Sequence, residues 1–128
     1  MTDTLFQRLG GMDTIRNVVK AFYGRVTASP ALARYFEGAD MMSLIEHQAI
    51  FVAGATGGPF GFDNATLWHA HAKLGITPQE FAEVLEHLRG ALEEFGVSEA
   101  EVAEILNAAR AKEKLIVGKP STPPPSAA

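Results

Sequence analysis

Four histidines, two tyrosines and no cysteine define the chemistry open to this chain of 128 residues. Without thiols there are no disulfides, thiolate zinc sites, iron–sulfur clusters or cysteine nucleophiles, so a tightly held metal must use histidine or carboxylate. His69 and His71 stand on either side of Ala70, just after Trp68. On a strand, two such rings share a face. On a helix they are about 200° apart, so only one can face inward. Leu67, His71 and Leu74 recur at helical spacing, which makes His71 the inward ring and turns His69 outward. An inward histidine is either a hydrogen-bonded core residue or a ligand, and spacing does not separate the two.

His47 and His87 each sit at the edge of an apolar helical stripe, the usual place for a half-exposed amphipathic side chain. Tyr23, Gln48 and His71, in contrast, interrupt otherwise apolar faces. Burying a polar group without a partner costs roughly 1–3 kcal/mol. These three groups therefore either satisfy one another and the backbone or surround something polar.

The elements that must position them are helical. Ile15, Val18, Val19, Phe22, Tyr23 and Val26 form the apolar face of a long helix. The dipeptide Ser29–Pro30 ends it, because a residue before proline avoids helical geometry. A short segment through Tyr35 and Phe36 leads to a second helix from about Asp40, with the stripe Met41, Leu44, Ile45, Gln48, Phe51, Val52 and Ala55. It dissolves in the glycine-rich run 54–61, a loop longer than most helix–helix connections. After a short segment at 65–74, Thr77, Pro78 and Glu80 form a capping box that opens a third helix. Phe81, Val84, Leu85, Leu88, Leu92 and Phe95 make its expected buried stripe, and Gly96 its end. A second capping box at Ser98 and Glu101 opens a last helix through Val102, Ile105, Leu106 and Ala109. No alternating β pattern occurs, so the expected class is all-α. The expected organisation is one domain over 1–117 and a disordered Pro/Ser/Ala tail over 118–128.

Hydrophobic residues make up 47% of the chain and charged residues 20%, a globular composition. The formal net charge of −4 lacks the basic footprint of a nucleic-acid binder. No apolar stretch reaches the length of a membrane span, and the first residues lack the pattern of a signal peptide. The expectation is a cytoplasmic protein that engages neither nucleic acid nor membrane.

In sequence order, Leu5 to Gly11, Phe22 to Val26, Tyr35 and Phe36, His47 and Gln48, Gly57 to Pro59, and His71 to Thr77 resemble the group I truncated haemoglobins, from Leu5 to about Leu115. The resemblance implies two-over-two helices sandwiching haem b held without a covalent bond, with a shortened first helix. It makes His71 the proximal iron ligand, with its other ring nitrogen donating to a backbone carbonyl. Phe36 matches the phenylalanine on the haem face and Tyr23 the distal tyrosine. Leu44, His47 and Gln48 match distal positions on the second helix. Phe51, Leu74 and Val84 complete the expected haem surroundings, and Val84 stands where other truncated groups carry tryptophan. His47 falls where some members place a histidine that binds iron as a sixth ligand.

The resemblance implies binding of O₂, NO and CO, with Tyr23 and Gln48 donating to the partly negative dioxygen and Phe22, Leu44, Phe51 and Val52 keeping water out. It extends to NO dioxygenation with an external reductase, as a monomer or weak homodimer. Arg34 and Lys73 suit the haem propionates by charge. Two alternatives stand beside it: a bis-histidyl haem protein for electron transfer or peroxidase-like chemistry, and a cofactor-free helical interaction module.

Overall fold

The computed structural model of the chain describes residues 4–58, 75–113 and 117. Among these residues there are five α-helices and one 3₁₀ turn, and no strand. The helices are α1 (Leu5–Leu9), α2 (Gly11–Thr27), α3 (Met41–Ala55), α4 (Pro78–Glu94) and α5 (Glu99–Arg110), and the 3₁₀ turn is Ala33–Phe36. Helix α2 packs against both α3 and α4, while α5 packs on α4 and reaches α3. This is the two-pair arrangement expected from the sequence. None of these helices is long and apolar enough to cross a membrane.

Local chemistry explains where the elements begin and end. Thr4 and Gln7 form a reciprocal capping box that starts α1, the shortened first helix. Gly10 closes it at φ 111°, a left-handed backbone that favours glycine, and a Cβ there would press on the Thr14 hydroxyl. Asp40 caps α3 through the backbone N–H groups of Met42 and Ser43. Thr77 and Glu80 cap α4 reciprocally, with Pro78 in its first turn, as the sequence implied.

All six stripe residues of α2 are buried: Ile15, Val18, Val19, Phe22, Tyr23 and Val26. They meet Phe81, Leu85, Leu88 and Leu92 of α4, and Val102, Ile105 and Leu106 of α5, in one core. Burying a leucine- or valine-sized side chain contributes about 1.5–3 kcal/mol, which this core uses to offset the entropy of ordering the chain.

Two readings change. Phe95, expected in the buried stripe of α4, is 44% exposed. The helix ends at Glu94, and the Val97 N–H turns back to the Leu92 carbonyl, so Val97 packs on the core in place of Phe95. In α3 the most deeply buried residues are Ala49, Val52 and Ala53, whereas Leu44, Ile45, Gln48 and Phe51 are only half-buried. Small residues let α3 lie close to its neighbours and leave its larger side chains at the edge of the core. The tail over 118–128, the segment at 65–74 and residues 59–61 of the glycine-rich run lie outside the described residues.

Candidate functional site

Helix α2 brings Phe22 and Tyr23 to adjoining faces of the core, with their rings in edge-to-face contact at 5.0 Å. On its other side Tyr23 meets the Phe36 ring edge-on, at 5.6 Å and 77°. Tyr23 is 8% exposed, and its hydroxyl hydrogen-bonds to no described residue. Burial, with no partner to offset it, pushes its phenol up to about 12. This hydroxyl remains protonated and able to donate at any physiological pH.

Gln48 lines a small cavity of about 60 Å³ among Phe22 of α2, Phe51 and Val52 of α3, and Val84 and Leu88 of α4. Gln48 is the polar side chain in this wall, and its amide makes no hydrogen bond to a described residue. A water molecule takes roughly 30 Å³ of liquid volume, so the cavity has the scale of a small gas molecule. Tyr23 and Phe36 border a different space, an open cleft of about 510 Å³ formed with Lys20, Met41 and Ile45. The two expected donors thus line different cavities, and the described residues do not bring them into one chamber.

The other expected site residues fall as follows. Leu44 and Val84 are half-buried and pack on the core. His47 is exposed on α3. His71 and Leu74 lie outside the described residues, as do Trp68, His69 and Lys73. Among the described residues no group of three or more histidines and carboxylates could hold a metal ion by itself. His87, read as a surface edge residue, is half-buried and contacts the Glu83 carboxylate at 3.0 Å. Arg34, suited to a propionate by charge, instead pairs with Glu80 at 2.9 Å.

Sequence reasoning saw Glu80 only as a cap and passed over Glu83. Glu80 also accepts the Tyr35 hydroxyl at 2.6 Å, and Glu83 accepts the Ser29 hydroxyl. These bonds hold the turn bearing Phe36 against α4, and no local spacing could have announced them.

The bacterial-like globin family matches residues 4–116, nearly the whole of the described chain. A group 1 truncated hemoglobin of Mycolicibacterium paratuberculosis is 38% identical over 105 residues, covering 82% of this chain and 77% of that protein. This chain belongs to the group 1 truncated haemoglobins. A second relative from this group, in Synechocystis, is 33% identical over 106 residues, 80% of this chain and 86% of its own. Among solved structures, truncated hemoglobin from Tetrahymena pyriformis in its Fe(III) form superposes with a TM-score of 0.84 at 26% identity, over 91% of this chain and all of that one. Hemoglobin from Chloroflexus aurantiacus gives 0.76 at 34% identity, over 90% and 98%.

Haem is therefore the cofactor of this truncated haemoglobin, and it binds diatomic ligands such as O₂. The described half of the site fits that group. Two donors without hydrogen-bond partners among the described residues, the Tyr23 hydroxyl and the Gln48 amide, line cavities walled by Phe22, Phe36, Phe51 and Val84. Such donors, lining apolar walls, can bond a polar guest. A haem cofactor leaves no place for a cofactor-free helical module.

Proposed function

We propose that this truncated haemoglobin holds O₂ and converts NO to nitrate, with Tyr23 and Gln48 as the residues that retain dioxygen. The observation that carries the reading is Tyr23, a buried residue of α2 against Phe36, whose hydroxyl is protonated and makes no hydrogen bond to a described residue. Bound haem supplies the iron that takes the gas and the electron for NO + O₂ + e⁻ → NO₃⁻, with an external reductase restoring the ferrous state. On this reading His71 ligates the iron, with Leu74 beside it, and Phe36, Leu44, Phe51 and Val84 hold the haem on the distal side. Phe51, on the wall of the small cavity, borders the route by which NO reaches the dioxygen. The protein acts in the cytoplasm as a monomer or weak homodimer.

The alternative reading takes His47, exposed on α3, as the sixth ligand. A histidine bound to the iron would close the site to gas.

Absorption spectra of the oxidised, reduced and CO-treated protein, with the rate of O₂ dissociation, test this reading. His71→Ala abolishes the Soret band. Tyr23→Phe and Gln48→Leu each speed O₂ dissociation by roughly tenfold or more, since a hydrogen bond to a charged acceptor contributes about 1.5–3 kcal/mol. Unchanged dissociation in both variants defeats the assignment of Tyr23 and Gln48. His47→Leu leaves the ferric spectrum high-spin, whereas a change from low to high spin restores the bis-histidyl alternative.

A further inference from the structure

Phe36 ends a 3₁₀ turn only four residues long, whose N-cap residue, Leu32, offers no side-chain cap. A single turn of this kind has little stability of its own. Backbone bonds from Leu32 and Ala33 to the Ser29 carbonyl, and from Ala39 to the Phe36 carbonyl, maintain its shape. What binds it to α4 is a set of side-chain bonds that meet on one carboxylate. Glu80 Oε2 accepts from Arg34 at 2.9 Å, and Oε1 accepts from the Tyr35 hydroxyl at 2.6 Å. Arg34 also donates to the Tyr35 oxygen at 2.8 Å and covers the Tyr35 ring at 4.3 Å from its centroid.

The carboxylate itself is anchored independently of the turn. Oε1 also accepts the Thr77 backbone N–H at 3.0 Å, and the Glu80 N–H is bound by the Thr77 hydroxyl at 3.0 Å. Glu80 is thus fixed at the start of α4 before it reaches across to the turn. Its two partners there, Arg34 and Tyr35, immediately precede the ring that meets Tyr23.

We infer that Glu80 is a positioning residue of the distal site, setting through Tyr35 and Arg34 the angle at which Phe36 supports Tyr23. The functional consequence rests on the haem reading above, but the coupling from Glu80 to Tyr23 does not. The bonds involved are charge-assisted, shorter and stronger than neutral ones, which suits them to fixing an orientation as well as adding stability. The carboxylate accepts at both oxygens, so an amide in its place loses one acceptor and the charge.

Tyr23 and Tyr35 are the two tyrosines of the chain, so 3-fluorotyrosine labelling yields one fluorine resonance for each. Tyr35→Phe assigns them. Glu80→Gln keeps a side chain that serves a capping box. In both variants the Tyr23 resonance is expected to move by more than its linewidth, although neither substituted group touches Tyr23. In the haem-loaded protein, CO dissociation is expected to quicken by roughly threefold or more, short of the hundredfold that an ångström of misplacement can cost. A purely structural role moves the melting temperature and the Tyr35 signal alone. A Tyr23 resonance unmoved in both variants, or moved with unchanged CO dissociation, overturns the inference. A chain that takes up no haem defeats the haem reading instead, and the fluorine spectra then decide the coupling by themselves.

Discussion

Ser29, in the turn after α2, donates its hydroxyl to Glu83 of α4, fifty-four residues further along the chain. Ser29 is 8% exposed, and the same Glu83 oxygen also contacts the His87 ring at 3.0 Å. The end of α2 is thereby tied to α4 beside the turn that carries Phe36. Ser29→Ala removes this tie and lowers stability by roughly 0.5–1.5 kcal/mol. Urea denaturation checks it: the midpoint falls and the slope stays constant.

Acid loosens the same junction. Tyr35 above all, with the Thr77 N–H and Arg34, holds the Glu80 carboxyl at about 2 against an ordinary 4.5. Glu83 is lowered as well, by Ser29 first and His87 second. A carboxyl depressed in the folded state binds protons more readily when unfolded. Its contribution is therefore complete above about pH 4.5 and disappears as pH falls towards 2. Melting curves from pH 7 to pH 2.5 are expected to show Glu80→Gln less stable than the parent at neutral pH and the two converging in acid. A gap that stays constant with pH contradicts this.

Tyr23 produces the opposite effect in base. Its phenol is raised from 10.0 to about 12 by burial, so the contribution is full below pH 10 and is lost as pH climbs towards 12. Tyr35 is raised too, by burial first and Glu80 second, and adds to the alkaline slope. Tyr23→Phe is expected to flatten the loss of stability between pH 10 and 12. At pH 7 it changes stability by less than about 1 kcal/mol, because its hydroxyl has no partner among the described residues to lose. Circular dichroism melts at both pH values separate this small structural effect from the large one expected on O₂ retention.

Gly58 takes no larger side chain. Its N–H bonds the Ala53 carbonyl at 2.7 Å, and a Cβ would stand 2.9 Å from that oxygen and 2.7 Å from the Phe6 ring. Gly58→Ala is expected to cost about 1–3 kcal/mol through overpacking between α1 and the end of α3. A lowered urea midpoint measures it, and an unchanged one refutes it.

Much of this was legible in the sequence because the signals are local. The Thr77, Pro78 and Glu80 start and the six-residue stripe of α2 follow from spacing and take their expected places. At Ser98 only half of the expected box forms: Ser98 caps the Glu101 N–H, and the Glu101 carboxylate accepts from the Ser98 hydroxyl and Arg8. In α3 the same reasoning favoured large apolar residues, while packing selected Ala49 and Ala53. The four-residue spacing of those alanines was the available signal. Phe95 was misplaced because periodicity cannot tell where the chain turns back, and the Val97 bond to Leu92 makes that choice. Tyr23 and Gln48 stood out as polar groups on apolar faces, but which cavity each borders depends on how three helices cross. The bonds from Arg34 and Tyr35 to Glu80 span forty-six and forty-five residues, beyond any pattern a helix can register.

Three donors from two elements, Arg34, Tyr35 and Thr77, share one acceptor, Glu80. Substitutions among them are therefore epistatic. Once the carboxylate is gone, removing the Tyr35 hydroxyl costs little more, and restoring Glu80 alone recovers little if Arg34 and Tyr35 have already changed. The group behaves as a single heritable character: drift at one member is penalised until another changes with it. A descendant of this chain that keeps Glu80 is accordingly expected to keep donors at 34 and 35, and one that loses it is free to vary at both.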